Sequence, residues 1–308
     1  TLTAGGDSSD RDTRWQVEGN SRIGANVKVS DTLTGRFEYG SAPNLRLLYG
    51  TWNFGAGTLR AGQMYTPLTQ LISNQVYGAD NDLVGFGGLY TGRQGGLMLT
   101  FGYLKIGAYT PACTVLLTAG EVDLTLPKLE VSYHLALGKA YLDFVGAYQS
   151  FDIETTGKDF GVDSWIIGMG AGVNLGQFYV KSTAYVAENL GNYGNGMFNI
   201  ATGATNDAAT ITGTKLNDND VYGLTLVAGA KVSDMITIEG GIGFVESDLD
   251  TAASKEDDAM AYYVNASISL APGVLLVPEI GVLDSKDNAA GADQGDTTYF
   301  GLKWQINF

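Results

Sequence analysis

Ser132 and His134 stand two residues apart in a stretch that alternates polar and apolar side chains, and His134 is the single histidine of the 308-residue chain. A hydrolytic serine needs a base within hydrogen-bond reach. Positions i and i+2 of a strand lie about 6 to 7 Å apart at the backbone, and no G-x-S-x-G or comparable motif surrounds the pair. The expectation is a solvated histidine and no enzyme. Cys113 is alone, which excludes a disulfide framework and a thiolate metal cluster and leaves it as a small buried residue. The glycines of 168–172 are not followed by the helix that a phosphate cradle requires, so they are expected to serve packing or curvature in a strand. Acidic residues gather in 7–12, 217–220, 248–258 and 284–296. Carboxylates in such number can hold Ca²⁺ through hard oxygen ligands, with Asp248, Asp250, Asp257 and Asp258 as candidates; a solvated acidic surface is the commoner outcome. The net charge of −15 argues against nucleic acid, whose phosphates need a basic surface.

What remains is charge carried on one face of extended segments. Residues 15–29 read WQVEGNSRIGANVKV. Trp15, Val17, Ile23, Ala25, Val27 and Val29 form one side, and Gln16, Glu18, Asn20, Arg22, Asn26 and Lys28 the other. In 33–40, Arg36 and Glu38 share a face opposite Phe37 and Tyr39, where they either line a polar surface or pair with each other. The same grammar returns in 45–54, 58–68, 93–102, 105–112, 122–137, 141–151, 165–175, 177–188, 220–232, 236–246, 259–270, 274–284 and 298–308. That makes fifteen runs, and a short opening piece, residues 1–5, brings the expected count to about sixteen strands. Short turns and long loops alternate between them, with 152–163 and 190–217 read as polar loops. This order places all turns at one rim and all loops at the other in an up-and-down barrel.

A soluble sandwich also alternates, but it packs its apolar faces together as a core. Here the apolar faces are long, recur on essentially every run, and end in aromatics such as Trp15, Phe54, Tyr148, Trp165, Tyr262, Phe300 and Phe308, as in membrane girdles. Mean hydropathy is close to zero because alternation averages out. No run approaches the ~18 apolar residues of a membrane helix. The sequence therefore predicts an all-β, closed antiparallel transmembrane barrel formed by residues 1–308 as one domain. With about sixteen strands the interior is too wide for side chains to fill and holds water. Thr1 opens on polar chain, so any secretory signal is expected to have been removed.

One segment breaks the rhythm. Residues 71–93 are long for a connection and contain Leu71, Ile72, Val76, Tyr77, Leu83, Val84, Phe86, Leu89 and Tyr90, too much apolar surface to leave in water. The expectation is a loop folded inward against the barrel wall, a candidate constriction.

Over residues 14–96 the chain resembles the general bacterial porins of the outer membrane. The resemblance rests on Ser21-Arg22-Ile23-Gly24, Leu33-Thr34-Gly35 with Glu38-Tyr39, Leu45-Arg46-Leu47, Gly85-Phe86-Gly87-Gly88 and Gly92-Arg93-Gln94-Gly95-Gly96. Phe308 is similar to that family's C-terminal aromatic. The resemblance implies an inward-folded third loop anchored through Phe86, Gly87 and Gly88, and a pore constriction in which Arg22, Arg46 and Arg93 on the wall face Asp80 and Asp82 on the loop. Arg36 and Glu38 would extend the charged lining, with Arg14, Lys28 and Lys181 as weaker candidates. The family's loop glutamate is replaced by Gly85, so this eyelet is expected to carry less negative charge than its relatives. The resemblance also implies a homotrimer among outer-membrane lipid and lipopolysaccharide, passing ions and small hydrophilic solutes by diffusion.

Opposed fixed charges across a narrow waist produce a strong transverse field, which sorts solutes by size and sign. The preferred function is a non-specific diffusion porin, followed by a channel selective for sugars or carboxylates, and then a structural or adhesin barrel. The acidic mouth favours cations at low salt and the arginines favour anions deeper in, with the balance expected to lean toward cations.

Overall fold

The computed structural model describes residues 15–41, 44–111, 121–124, 126–155, 157–193 and 207–308. Strands β1 (Arg22–Lys28), β2 (Leu33–Gly40), β3 (Leu45–Asn53), β4 (Thr58–Tyr65), β5 (Arg93–Phe101) and β6 (Leu104–Tyr109) follow one another as antiparallel neighbours. The wall continues through β8 (Lys128–Leu137), β9 (Ala140–Thr155), β10 (Lys158–Asn174) and β11 (Phe178–Glu188), with the short β7 (Glu121–Asp123) before β8 in the chain. After the small hairpin β12 (Thr210–Thr212) and β13 (Lys215–Asn217), it resumes with β14 (Asn219–Lys231), β15 (Ile236–Leu249), β16 (Asp257–Ala271), β17 (Val274–Asp284) and β18 (Asp296–Ile306).

The sheet has sixteen strands, one of which, β7, lies off the sequential path. It pairs with the upper part of β9 while β8 pairs with the lower part, so β7 prolongs β8. Residues 1–5, expected as an opening strand, lie outside the described residues, as do Cys113 and Arg14. Among the described residues the first strand begins at Arg22 rather than at Trp15, after a turn at Gly19 and Asn20.

The wall is inside-out relative to a soluble domain. Ile23, Leu48, Leu97, Val131, Ile167, Leu224, Ile242, Val264, Ile280 and Leu302 are exposed, while Glu130, Thr183, Thr225, Glu239, Asn265 and Glu279 are buried. This is what alternation produces when the apolar face meets lipid and the polar face meets a filled or wet interior.

Residues 152–163 correct one expectation, since they form the top of the β9–β10 hairpin rather than a loop. Phe151, Ile153, Phe160 and Val162 point inward and are buried, and Asp152, Glu154, Asp159 and Asp163 point outward. Phe151, Ile153 and Val162 pack with Ala209 under the β12–β13 hairpin. Above the lipid the outer face meets water, so the polarity of the alternation inverts.

Candidate functional site

Between β4 and β5 the chain turns into the barrel, and residues 66–92 form the inward segment, slightly longer than the expected 71–93. It contains one helical turn, α1 (Tyr77–Asp80). Leu68, Ile72, Leu83, Phe86 and Leu89 join a buried cluster with Val145, Ile166, Tyr185, Val227, Val245 and Tyr263 of the opposite wall. Phe86 is fully buried. Gly87 has φ +91°, and a Cβ there would run into the backbone oxygens of Phe244 and Leu224; Gly243 in turn leaves room for the Phe86 carbonyl. The segment therefore lies flat against β14 and β15, with Gly88 folded back on the Leu83 backbone through the Gly88 N–H to Leu83 O bond of 3.0 Å.

Backbone groups of an irregular buried segment must find partners, and three wall glutamates supply them. Glu130 accepts the Leu68 N–H at 3.0 Å and hydroxyl bonds from Thr91 at 3.3 Å and Tyr193 at 3.1 Å, tying the entry of the segment to its exit. Glu239 accepts the Asn74 N–H at 2.6 Å and Asn74 Nδ2 at 2.7 Å, with Tyr263 donating at 2.6 Å. Glu279 takes the N–H groups of Val76 and Tyr77, at 2.7 and 2.9 Å, where α1 begins. Lys181 donates to the Ile72 carbonyl at 3.1 Å. Glu239 and Glu279 were not singled out from the sequence. Their signal is relational: Asn265 stands opposite both in register, so neither carboxylate has a cation across the ladder and each must be satisfied from elsewhere.

The other side of the barrel carries the charge. Glu38 is buried and accepts Arg46 Nε at 2.9 Å and Arg36 Nη2 at 2.8 Å, with Arg22 Nη1 at 3.8 Å. Arg36 and Glu38 thus pair with each other within a larger cluster. Arg46 also donates to Asn20 Oδ1 at 2.9 Å and to Tyr65 OH at 3.2 Å. Arg93 reaches Tyr65 OH at 3.5 Å and sits over that ring at 5.7 Å. Arg60, absent from the sequence-based candidates, lies over Tyr49 at 4.4 Å.

The loop carboxylates divide. Asp80 receives Asn20 Nδ2 at 2.8 Å and Lys303 Nζ at 2.5 Å, so it meets Arg46 only through Asn20. Asp82 is turned into its own loop, buried and hydrogen-bonded by the Ser73 N–H, and does not face the arginines. Burial pushes its carboxyl up to about 7. Leu83 follows with φ +58°, a strained value for a leucine, held by its buried side chain and by a 2.8 Å bond from its N–H to Gln75 Oε1. The arginines' nearest acidic partner is therefore Glu38 of the wall rather than Asp82 of the loop.

His134 is half-exposed, bonded through Nδ1 to Asp143 at 2.7 Å and flanked by Tyr103 and Tyr141. Of the calcium candidates, Asp250 pairs with Lys215 at 3.0 Å and Asp258 with Lys286 at 3.5 Å, while Asp257 is buried and Asp248 exposed. Among the described residues no three His, Cys, Asp or Glu side chains converge so as to hold a metal ion.

A sixteen-stranded antiparallel sheet with a lipid-facing apolar belt, a polar interior and an anchored inward loop defines a transmembrane β-barrel of porin fold. No helix of the described residues is long and apolar enough to cross a membrane. Solved structures of this fold include the outer membrane channel DcaP of Acinetobacter baumannii, with a TM-score of 0.81, 16% identity, and coverage of 98% of this chain and 89% of that one. OmpF of Salmonella typhi, in complex with daunomycin, is similar at a TM-score of 0.60 and 12% identity over 92% of this chain and 89% of its own. A porin refined at 1.8 Å is similar at 0.59 and 17% over 93% and 92%. At these identities the likeness is one of fold. No family model and no curated protein matches the sequence.

Proposed function

We propose that the chain is an outer-membrane porin through which ions and small hydrophilic solutes diffuse without a catalytic step. The observation that carries this reading is the one-sided anchoring of residues 66–92. The segment is packed against β9–β17, whereas the side chains of Arg22 and Arg36 on the opposite wall remain 47% and 40% exposed, so the passage lies between the loop and β1–β6. The porin fold of the solved structures supports the same reading. Purified protein in a planar bilayer is expected to give stepwise, ohmic conductance. A silent bilayer would favour a structural barrel instead.

A second reading, a solute-selective channel, is favoured by a cavity of about 470 Å³ beside Arg93. Saturation of conductance by one solute class would support it. The assembly we propose is a homotrimer in contact with outer-membrane lipid and lipopolysaccharide, to be checked by native mass of the detergent-extracted protein. Calcium in the acidic loops is tested by titration calorimetry.

A further inference from the structure

We propose that this channel selects anions, small carboxylates included, although the chain as a whole is strongly acidic. The inference rests on the channel reading above and adds the sign of the transported solute. It follows from which charges are left facing the passage. Glu130, Glu239 and Glu279 lie on the wall behind residues 66–92, and the loop's own donors occupy their oxygens. Asp82 is likewise turned away. The passage side carries Arg22, Arg36, Arg46, Arg60, Arg93 and Lys303. Among the described residues, the carboxylates that meet these six cations are Glu38, Asp80 and Glu18. Glu38 is shared by three guanidinium groups.

Arg60 and Arg93 complete the case. Among the described residues neither has a carboxylate within ion-pair distance; Arg60 rests on Tyr49 and Thr51, and Arg93 on Tyr65. The cavity of about 470 Å³ beside Arg93 is lined by Arg93 itself and by Gln63, Tyr90, Thr91, Gln94, Thr110 and Lys128, with Leu45 and two glycines completing it and no carboxylate among its lining residues. An anion in that cavity meets amide and hydroxyl donors and Arg93, whose Tyr65 partner also receives Arg46 of the Arg22–Arg36–Glu38 cluster. Fixed cations in a low-dielectric waist raise the local anion concentration and repel cations. Exposed acidic groups such as Asp248 and Asp250 sit at the rim, where salt screens them.

The test is the reversal potential of the full-length protein in a planar bilayer under a KCl gradient, repeated with potassium acetate. The expected result is a chloride preference over potassium of at least about threefold, retained in part with acetate. Arg60→Gln and Arg93→Gln are each expected to move the potential toward the cation side, and Arg93→Lys to restore it. Lys231→Gln, at a turn on the rim, is expected to leave it unchanged. A wild-type cation preference, no shift in either arginine variant, or an equal shift in Lys231→Gln would overturn the proposal. Conductance with the wrong sign defeats this inference alone, whereas absence of conductance defeats the channel reading beneath it.

Discussion

Glu38 is the residue on which the charge of the passage converges, because three guanidinium groups share its two oxygens. Replacing it by glutamine keeps an acceptor for Arg46 and removes the charge that holds the cluster together. Glu38→Gln is therefore expected to move the reversal potential further toward anions and to increase open-channel noise as the freed arginines sample other positions; an unchanged potential would show that Glu38 contributes nothing to selectivity. Asp82 makes a separate prediction. Its ordinary value is 3.8 and burial raises it to about 7, so between these values the docked loop holds a proton that a released loop lacks. Docking is then favoured at acid pH and weakens as pH rises through about 7. Asp82→Asn retains an acceptor for the Ser73 N–H without titrating, and is expected to flatten the pH dependence of channel flicker between about pH 5 and pH 8.

At the scale of elements, the inward segment is held by carboxylates and by close backbone contact. Hydrogen bonds to ionised groups are worth about 1.5–3 kcal/mol each, and Glu279 accepts the two N–H groups that open α1. Glu279→Ala is expected to loosen the segment, widening the spread of single-channel conductances; a sharp, wild-type distribution would count against the clamp. Gly243→Ala, which sets a methyl group against the Phe86 carbonyl, is expected to lift the loop tip and lower the denaturation temperature. The existence of this segment was legible in the sequence because nine apolar residues in a stretch without alternation have nowhere to go but inward. Its clamps were not, since Glu239 and Glu279 acquire their meaning only from a register that pairs both with Asn265. The division of labour between Asp80 and Asp82 was equally hidden: two residues apart in sequence, they point to different partners because the chain turns left-handed at both, with φ of 59° and 60°.

For the whole molecule, the wall was legible because a period of two survives wherever one face meets lipid. It failed at 152–163, where Phe151, Ile153, Phe160 and Val162 face in and the acids face out, and an inverted pattern reads as polar loop. The same geography separates an acidic rim from a cationic waist. At 0.01 M salt the screening length is ~30 Å and at 1 M ~3 Å, so the rim is expected to oppose anion entry only in dilute solution. Anion preference is expected to rise as salt first screens the rim and to fall again at high salt, where the half-exposed Arg22 and Arg36 are screened as well; a preference that only falls as salt is added from the most dilute solution would count against an opposing rim. Asp80, finally, is gripped by Asn20 ahead of β1 and by Lys303 of β18. One loop carboxylate thus ties the segment ahead of β1 to β18 across the inside of the wall. The passage-side contacts of the loop are therefore complete only when β18 is in the wall, although its other anchors lie on β8–β17.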